Sequence, residues 1–180
     1  MSFDRQPLLR GELLELRPLR ADDFEALFRV AADPLIWEQH PERNRYQEAT
    51  FKAFFAEALA SGGALVAIDR ATGQIIGSSR YHGYDAQRSV IEIGWTFLAR
   101  AYWGGRYNGE IKRLMLEHAF RSVTRVIFVI GPENRRSQRA VEKIGGVRAG
   151  TTTDEHGRER VVYELTPARY ARGQDSGARR

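Results

Sequence analysis

Residues 98–116 read LARAYWGGRYNGEIKRLML, and this stretch decides the fold. It follows an apolar segment, Val90–Phe97, that reads as a β-strand with Ile91, Ile93 and Trp95 on one face and Glu92 on the other. Trp103–Arg106 is a glycine-containing loop. Ile111, Leu114, Met115 and His118 then recur at helical spacing. The run Arg125–Ile130 has the length of a buried strand. Strand, helix and strand between Val90 and Ile130 are long enough for a right-handed crossover, which makes two strands of one sheet parallel.

Toward the N-terminus, Glu12–Leu16 reads as a strand closed by Pro18. Asp22 or Asp23 caps a helix bearing Phe24, Leu27, Phe28 and Ala31 at helical spacing, which stops before Pro34. A second helix covers Gln47–Ala60 and ends at Ser61-Gly62-Gly63. Ala64–Asp69 and Gln74–Tyr81 form a hairpin across Arg70–Gly73. Toward the C-terminus, Pro132 and Asn134 open a short helix with Ser137, Ala140, Val141 and Ile144 on one face, stopped by Gly145-Gly146. Val147–Thr152 and Arg158–Leu165 pair across Asp154–Gly157. The fold class is mixed α/β of the α+β kind, with a central, mostly antiparallel mixed sheet flanked by helices on both faces. From Ala168 the Ala/Arg/Gly/Ser composition loses apolar periodicity. The expectation is one domain over residues 1–167 and a disordered, Arg-rich tail over 168–180.

The 180 residues suit one domain, and 42% apolar residues supply its core. Absence of Cys excludes disulfides and thiol nucleophiles. No apolar run approaches the roughly 20 residues of a membrane span, and MSFDRQPLLR carries no secretory signal, so a cytoplasmic location away from membranes is expected. The net charge is +5, but the last twelve residues carry +3 of it. A body near neutrality disfavours a nucleic-acid partner, which would otherwise use Arg135, Arg136, Arg139 and the tail. His40, His82, His118 and His156 lack metal-ligand spacing, and no metal site is expected.

Two loops carry candidate chemistry. Gly104 and Gly105 permit positive φ and close backbone approach at a helix start, where free N–H groups and the helix dipole favour an anion. The alternative is a tight strand-to-helix turn. The loop lacks the Lys-Ser/Thr ending of an NTPase loop and the G-x-G-x-x-G of a dinucleotide site. Asn134 and Ser137 open the next helix; Asn134 as a cap, and Ser137 as a hydroxyl bonded to the preceding turn, are the structural alternatives. Both loops follow consecutive strands of one crossover, which favours a cleft between them.

Four stretches resemble the GNAT superfamily of acetyl-CoA-dependent N-acetyltransferases, nearest its ribosomal-protein alanine N-acetyltransferase branch. They are LLELRPLRADDFEALF, IEIGWTFL, YWGGRYNGEIKRLML, and ENRRSQRAVEKIGGVRAG followed by GRERVVYEL, together spanning Leu13 to Leu165. The resemblance implies that Gly104, Gly105, Arg106, Tyr107, Asn108 and Gly109 bind the coenzyme A pyrophosphate. It places Asn134 beside the pantetheine arm and Ser137 beside the thioester sulfur, to protonate or hydrogen-bond the leaving thiolate. Arg106 and Asn108 stand where the family carries Gly and Gly/Ala, and a Cβ there is strained if φ must be positive. Glu92, the only acid of its strand, is the expected base for the acceptor amine; the alternative is a solvent-facing carboxylate. Trp37, His40, Tyr81 and Tyr84 are expected to bind the acceptor.

The leading reading is acetyl transfer to a primary amine, of a small molecule or a peptide N-terminus, directly in a ternary complex. Its competitors are a noncatalytic coenzyme-A-binding or interaction domain and, last, a nucleic-acid-binding protein. Both monomer and homodimer fit the family.

Overall fold

The computed structural model describes residues 3–177, with side chains through Gln174. Its strands are β1 (Leu9–Arg10), β2 (Leu14–Pro18), β3 (Ala64–Asp69), β4 (Ile75–Asp85), β5 (Val90–Leu98), β6 (Arg125–Ile130), β7 (Val147–Thr153) and β8 (Glu159–Leu165). The α-helices are α1 (Phe24–Ala31), α2 (Glu48–Ala60), α3 (Arg106–Ala119), α4 (Arg135–Lys143) and α5 (Pro167–Gly177). The sheet order is β1-β2-β3-β4-β5-β6-β8-β7, antiparallel except at β5 and β6. Helices cover both faces. Leu27, Phe51 and Phe55 from α1 and α2 pack with Val66 and Phe97 of the sheet. Ile111 and Met115 from α3 and Val141 from α4 pack with Ile91, Ile93 and Phe128 on the opposite side.

The parallel pair is short. It joins Val90 to Arg125, Ile91 to Val126 and Glu92 to Ile127, and the ladder ends there. β6 keeps its other edge on β8 through Ile130. From Ile93 onward, the side of β5 that faces β6 therefore has no partner strand, and the sheet opens between the carboxyl halves of the two strands.

A second irregularity lies on the other edge of β5. Arg80 pairs with Gly94 and Ser78 with Phe97, so two steps along β4 oppose three along β5. Trp95 absorbs the extra residue at φ +53°, a left-handed conformation unusual for a large side chain. This bulge corrects the expected face of Trp95. The residue packs with the α1–α2 cluster rather than with Ile91 and Ile93, and it stands beside Arg80 and His82.

Two further expectations are corrected. Asp23 makes no cap bond to α1; its carboxylate accepts from the Arg17 guanidinium and the Arg20 N–H instead. Over residues 168–177 the expected disordered tail lies in the helix α5, which begins at Pro167, while residues 178–180 lie outside the described residues. Tyr170 packs its ring 6.0 Å from Phe120, and Gly173 lies against the Ile144 carbonyl, where a Cβ would sit 2.7 Å away. Docking through one aromatic and one glycine outweighs a composition with little apolar periodicity.

Candidate active site

Each edge of the sheet opening is lined by a helix start. On the β5 side, Gly104 (φ +107°) and Gly105 (φ +103°) turn the chain into α3, and a Cβ on either would meet nothing within 4 Å. Only their conformation demands glycine. Arg106 and Asn108 are ordinary helical residues in the first turn of α3. The two departures from the family pattern therefore put no strain on the backbone, because the positive φ angles fall one and two residues earlier. The first N–H groups of α3 are left free for an anion.

Tyr107 is different. Its hydroxyl donates to Asp69 (3.2 Å) and its ring meets Tyr102 edge-on, so the side chain anchors the helix start to the β3–β4 turn instead of facing a ligand. Glu110 ties the same helix to a different turn, the one between β1 and β2. Its buried carboxylate accepts the N–H groups of Glu12, Leu13 and Leu14 at 2.9, 2.8 and 2.9 Å. Burial opposes its ionisation, but these donors and Arg113 outweigh burial and hold the carboxyl below its usual range.

A groove of about 870 Å³ runs along α3 and α4 and is rimmed by Arg106, Lys112, Arg113 and Lys143, with Gly173 and Gln174 of α5 at its border. Lys112 is a residue that sequence reading missed. It is 7% exposed, its ammonium lies 5.0 Å over the Phe128 ring, and burial pushes its pKa down to about 8. Its spacing of four from buried Leu116 is the available sequence signal. Four cations against the two carboxylates of Glu12 and Glu110 leave the groove net positive, and with the free helix N–H groups beside it this suits a polyphosphorylated ligand such as coenzyme A.

On the β6 side, Asn134 is buried and caps α4, its Oδ1 accepting the Ser137 N–H at 3.2 Å. Its side-chain oxygen thus performs the capping role. Ser137 is half-buried in the first turn of α4. Arg136 ties the two loops together. Its guanidinium stacks 4.1 Å from the Trp103 ring and donates to the Ile36 carbonyl at 3.0 Å, while Trp103 donates to the Leu98 carbonyl. Neither partner declares this contact in the sequence, since 33 positions separate them.

Glu92 occupies the last rung of the parallel ladder, on the face of α1 and α2. Burial pushes its carboxyl up to about 7, against the pull of the Arg80 guanidinium. His82 sits opposite it in the antiparallel register, 5.2 Å from the Trp95 ring. The residues expected to bind the acceptor do not gather there. Tyr81 is fully buried on the other face and donates its hydroxyl to the Met115 carbonyl. Tyr84 packs against Phe3 on that same face. Trp37 is a core residue whose indole N–H is satisfied by the Ala31 carbonyl.

Of that set, Trp37 and His40 lie on the α1–α2 side. His40 Nδ1 accepts the Glu42 N–H, and burial beside Arg45 and Arg160 pushes its pKa down to about 3, so it stays neutral. The side chains that do surround Glu92's face are Arg80, Trp95, Phe54 and Arg45.

Among the described residues the sheet parts at its one parallel pair, with a cation-rimmed groove on one face and the Glu92 carboxyl on the other. The acetyltransferase (GNAT) domain family matches residues 14–147, and the chain belongs to it: it is an N-acetyltransferase. YnaD of Bacillus subtilis (strain 168), an uncharacterized N-acetyltransferase, is 28% identical over 140 residues, covering 76% of this chain and 81% of YnaD. A GCN5-related N-acetyltransferase from Brucella melitensis superposes with a TM-score of 0.80 at 22% identity, covering 94% of this chain and 85% of that one. Mycobacterium smegmatis RimJ, solved with CoA-disulfide, superposes with a TM-score of 0.67 at 18% identity, covering 95% and 93%. Acetyl-CoA is the acetyl donor of this family. No described helix is long and apolar enough to cross a membrane.

Proposed function

We propose that the protein transfers acetyl from acetyl-CoA directly to a primary amine within a ternary complex, with Glu92 as the base. The observation that carries this reading is the position of Glu92: a carboxyl with its pKa near 7, at the rung where β5 and β6 part. The amide groups at Gly104–Gly109 and the cations of the groove hold the donor's phosphates. Asn134 keeps the start of α4 in place beside the pantetheine arm.

A primary alkyl amine has a pKa near 10 and must shed a proton to attack a carbonyl. Glu92 takes the ammonium proton, directly or through water, before the freed lone pair attacks, and once it has passed that proton to solvent it accepts the second one that the nitrogen sheds after the nitrogen–carbon bond has formed. The carbonyl oxygen gains negative charge, which a backbone amide on the unpaired edge of β5 stabilises. The carbon–sulfur bond then breaks, and the Ser137 hydroxyl protonates or hydrogen-bonds the departing thiolate. The acceptor is a small molecule or a peptide with a free amine.

Calorimetric titration with acetyl-CoA tests the donor side. Micromolar binding is expected in the parent, and Gly105→Val, which forces a β-branched residue to positive φ, weakens it at least tenfold. No heat at millimolar acetyl-CoA would sink the reading. On the catalytic side, Ser137→Ala lowers kcat about 10²-fold and leaves the KM for acetyl-CoA unchanged, the low end of what a positioned proton donor supplies. A change in KM alone would make Ser137 a binding residue.

A further inference from the structure

Arg80 is 1% exposed, yet its Nε and Nη2 have no hydrogen-bond partner. Only Nη1 is engaged, at 2.7 Å from Glu57, whose side chain is mostly exposed on α2. Nε and Nη2 together form the edge of a guanidinium that grips both oxygens of a carboxylate. A buried cation with this fork empty is costly, and a ligand that fills it recovers the cost. The surroundings are also too positive. Arg80 and Arg45 share the Phe54 ring, at 5.5 and 4.4 Å from its centroid, and Trp95 covers Arg80 at 4.5 Å.

The fork is shut off from solvent, so a ligand reaches it only as the Trp95 and Phe54 rings beside Arg80 shift. Directly opposite Arg80 in the β4–β5 ladder stands Gly94, on the face that carries Glu92. A Cβ at Gly94 would meet only Glu92 Oε1, at 3.5 Å. Position 94 itself thus adds no side chain between cation and base, and Trp95 is the ring that flanks this space.

We propose that the acceptor carries a carboxylate next to its amine, as a free α-amino acid does, and that Arg80 binds this carboxylate through Nε and Nη2 with Arg45 adding positive charge. The amine then lies toward Glu92, and the exposed Glu57 is the group displaced from Nη1 if the ligand spreads over the whole guanidinium. This inference rests on the acetyl-transfer reading and adds the substrate class to it. A polyamine or another acceptor rich in positive charge is repelled by the same pair.

The test is a titration of the full chain saturated with desacetyl coenzyme A, using L-phenylalanine and L-leucine and their carboxamides. The acids bind at least tenfold more tightly than the amides. Arg80→Gln erases the difference and Arg80→Lys retains part of it. Equal binding of acid and amide, or no binding of either, overturns the proposal. The parent comparison needs no variant, so it decides the matter even if Arg80→Gln fails to fold. Coenzyme A binding is read first in the same cell: its absence strikes the acetyl-transfer reading, whereas its presence without acid preference strikes Arg80 alone.

Discussion

Glu92→Gln turns over about 10²-fold more slowly than the parent at pH 8, a loss typical of removing a positioned base, and its rate no longer rises with pH. In the parent, kcat/KM climbs about tenfold per pH unit below 7 and levels above it, because the carboxyl must be ionised to accept the amine's proton and burial sets its pKa at about 7. Gln fills the same space without charge, so the fold tolerates it and the loss reads as chemistry. Arg80 sharpens the assignment. Its cation draws the Glu92 pKa downward. Arg80→Gln therefore moves the limb to higher pH, a shift that solvent screening would nearly erase for a solvent-facing carboxylate. Full activity of Glu92→Gln across pH 5–9 would end the base assignment.

The elements were legible because they obey local rules. Val90–Leu98, Arg106–Ala119 and Arg125–Ile130 follow from periodicity and from two glycines, and the structure places them within a residue or so of that reading. Trp95 was assigned to the wrong face because period two assumes an unbroken ladder, and the bulge that breaks it depends on the pairing of β4 with β5. The helical tail was missed for a related reason. Its order comes from Tyr170 and Gly173 meeting Phe120 and Ile144, contacts that composition cannot express.

The site divides in the same way. Gly104, Gly105, Asn134 and Glu92 stand where a helix start or a strand rung puts them, so spacing finds them. Tyr81 and Trp37 resemble an aromatic lining in sequence but fill the core, since alternation along β4 turns Tyr81 away from Arg80 and His82. Arg80 and Lys112 gain their importance from burial, half-buried Arg45 from its place over the Phe54 ring and exposed Arg136 from its stack on Trp103, whereas a charged side chain normally reads as solvated surface. Their pairings span distant segments and leave no local trace.

Glu110→Ala lowers stability by roughly 3 kcal/mol, because the buried N–H group of Leu14 and the partly buried ones of Glu12 and Leu13 lose their acceptor together. For a chain of this size that is a fall in Tm of about 6–12 °C. Gly11 lies so close that a Cβ there would come within 2.3 Å of the Glu110 carboxyl carbon, so the turn is shaped around this carboxylate and leaves little room for another acceptor. Glu110→Gln keeps one oxygen but points an amide donor at backbone donors, and it falls between parent and Ala. The pH dependence separates this account from simple loss of packing. The carboxyl is held below its ordinary value of 4.5, so its contribution is complete at neutral pH and disappears as pH falls through the lowered pKa. The gap in Tm between parent and Glu110→Ala therefore narrows under acid conditions, whereas a packing defect keeps it constant. Because Glu110 also fixes the first turn of α3, acetyl-CoA affinity drops with it; unchanged affinity alongside the lost stability would detach this anchor from the phosphate-binding loop.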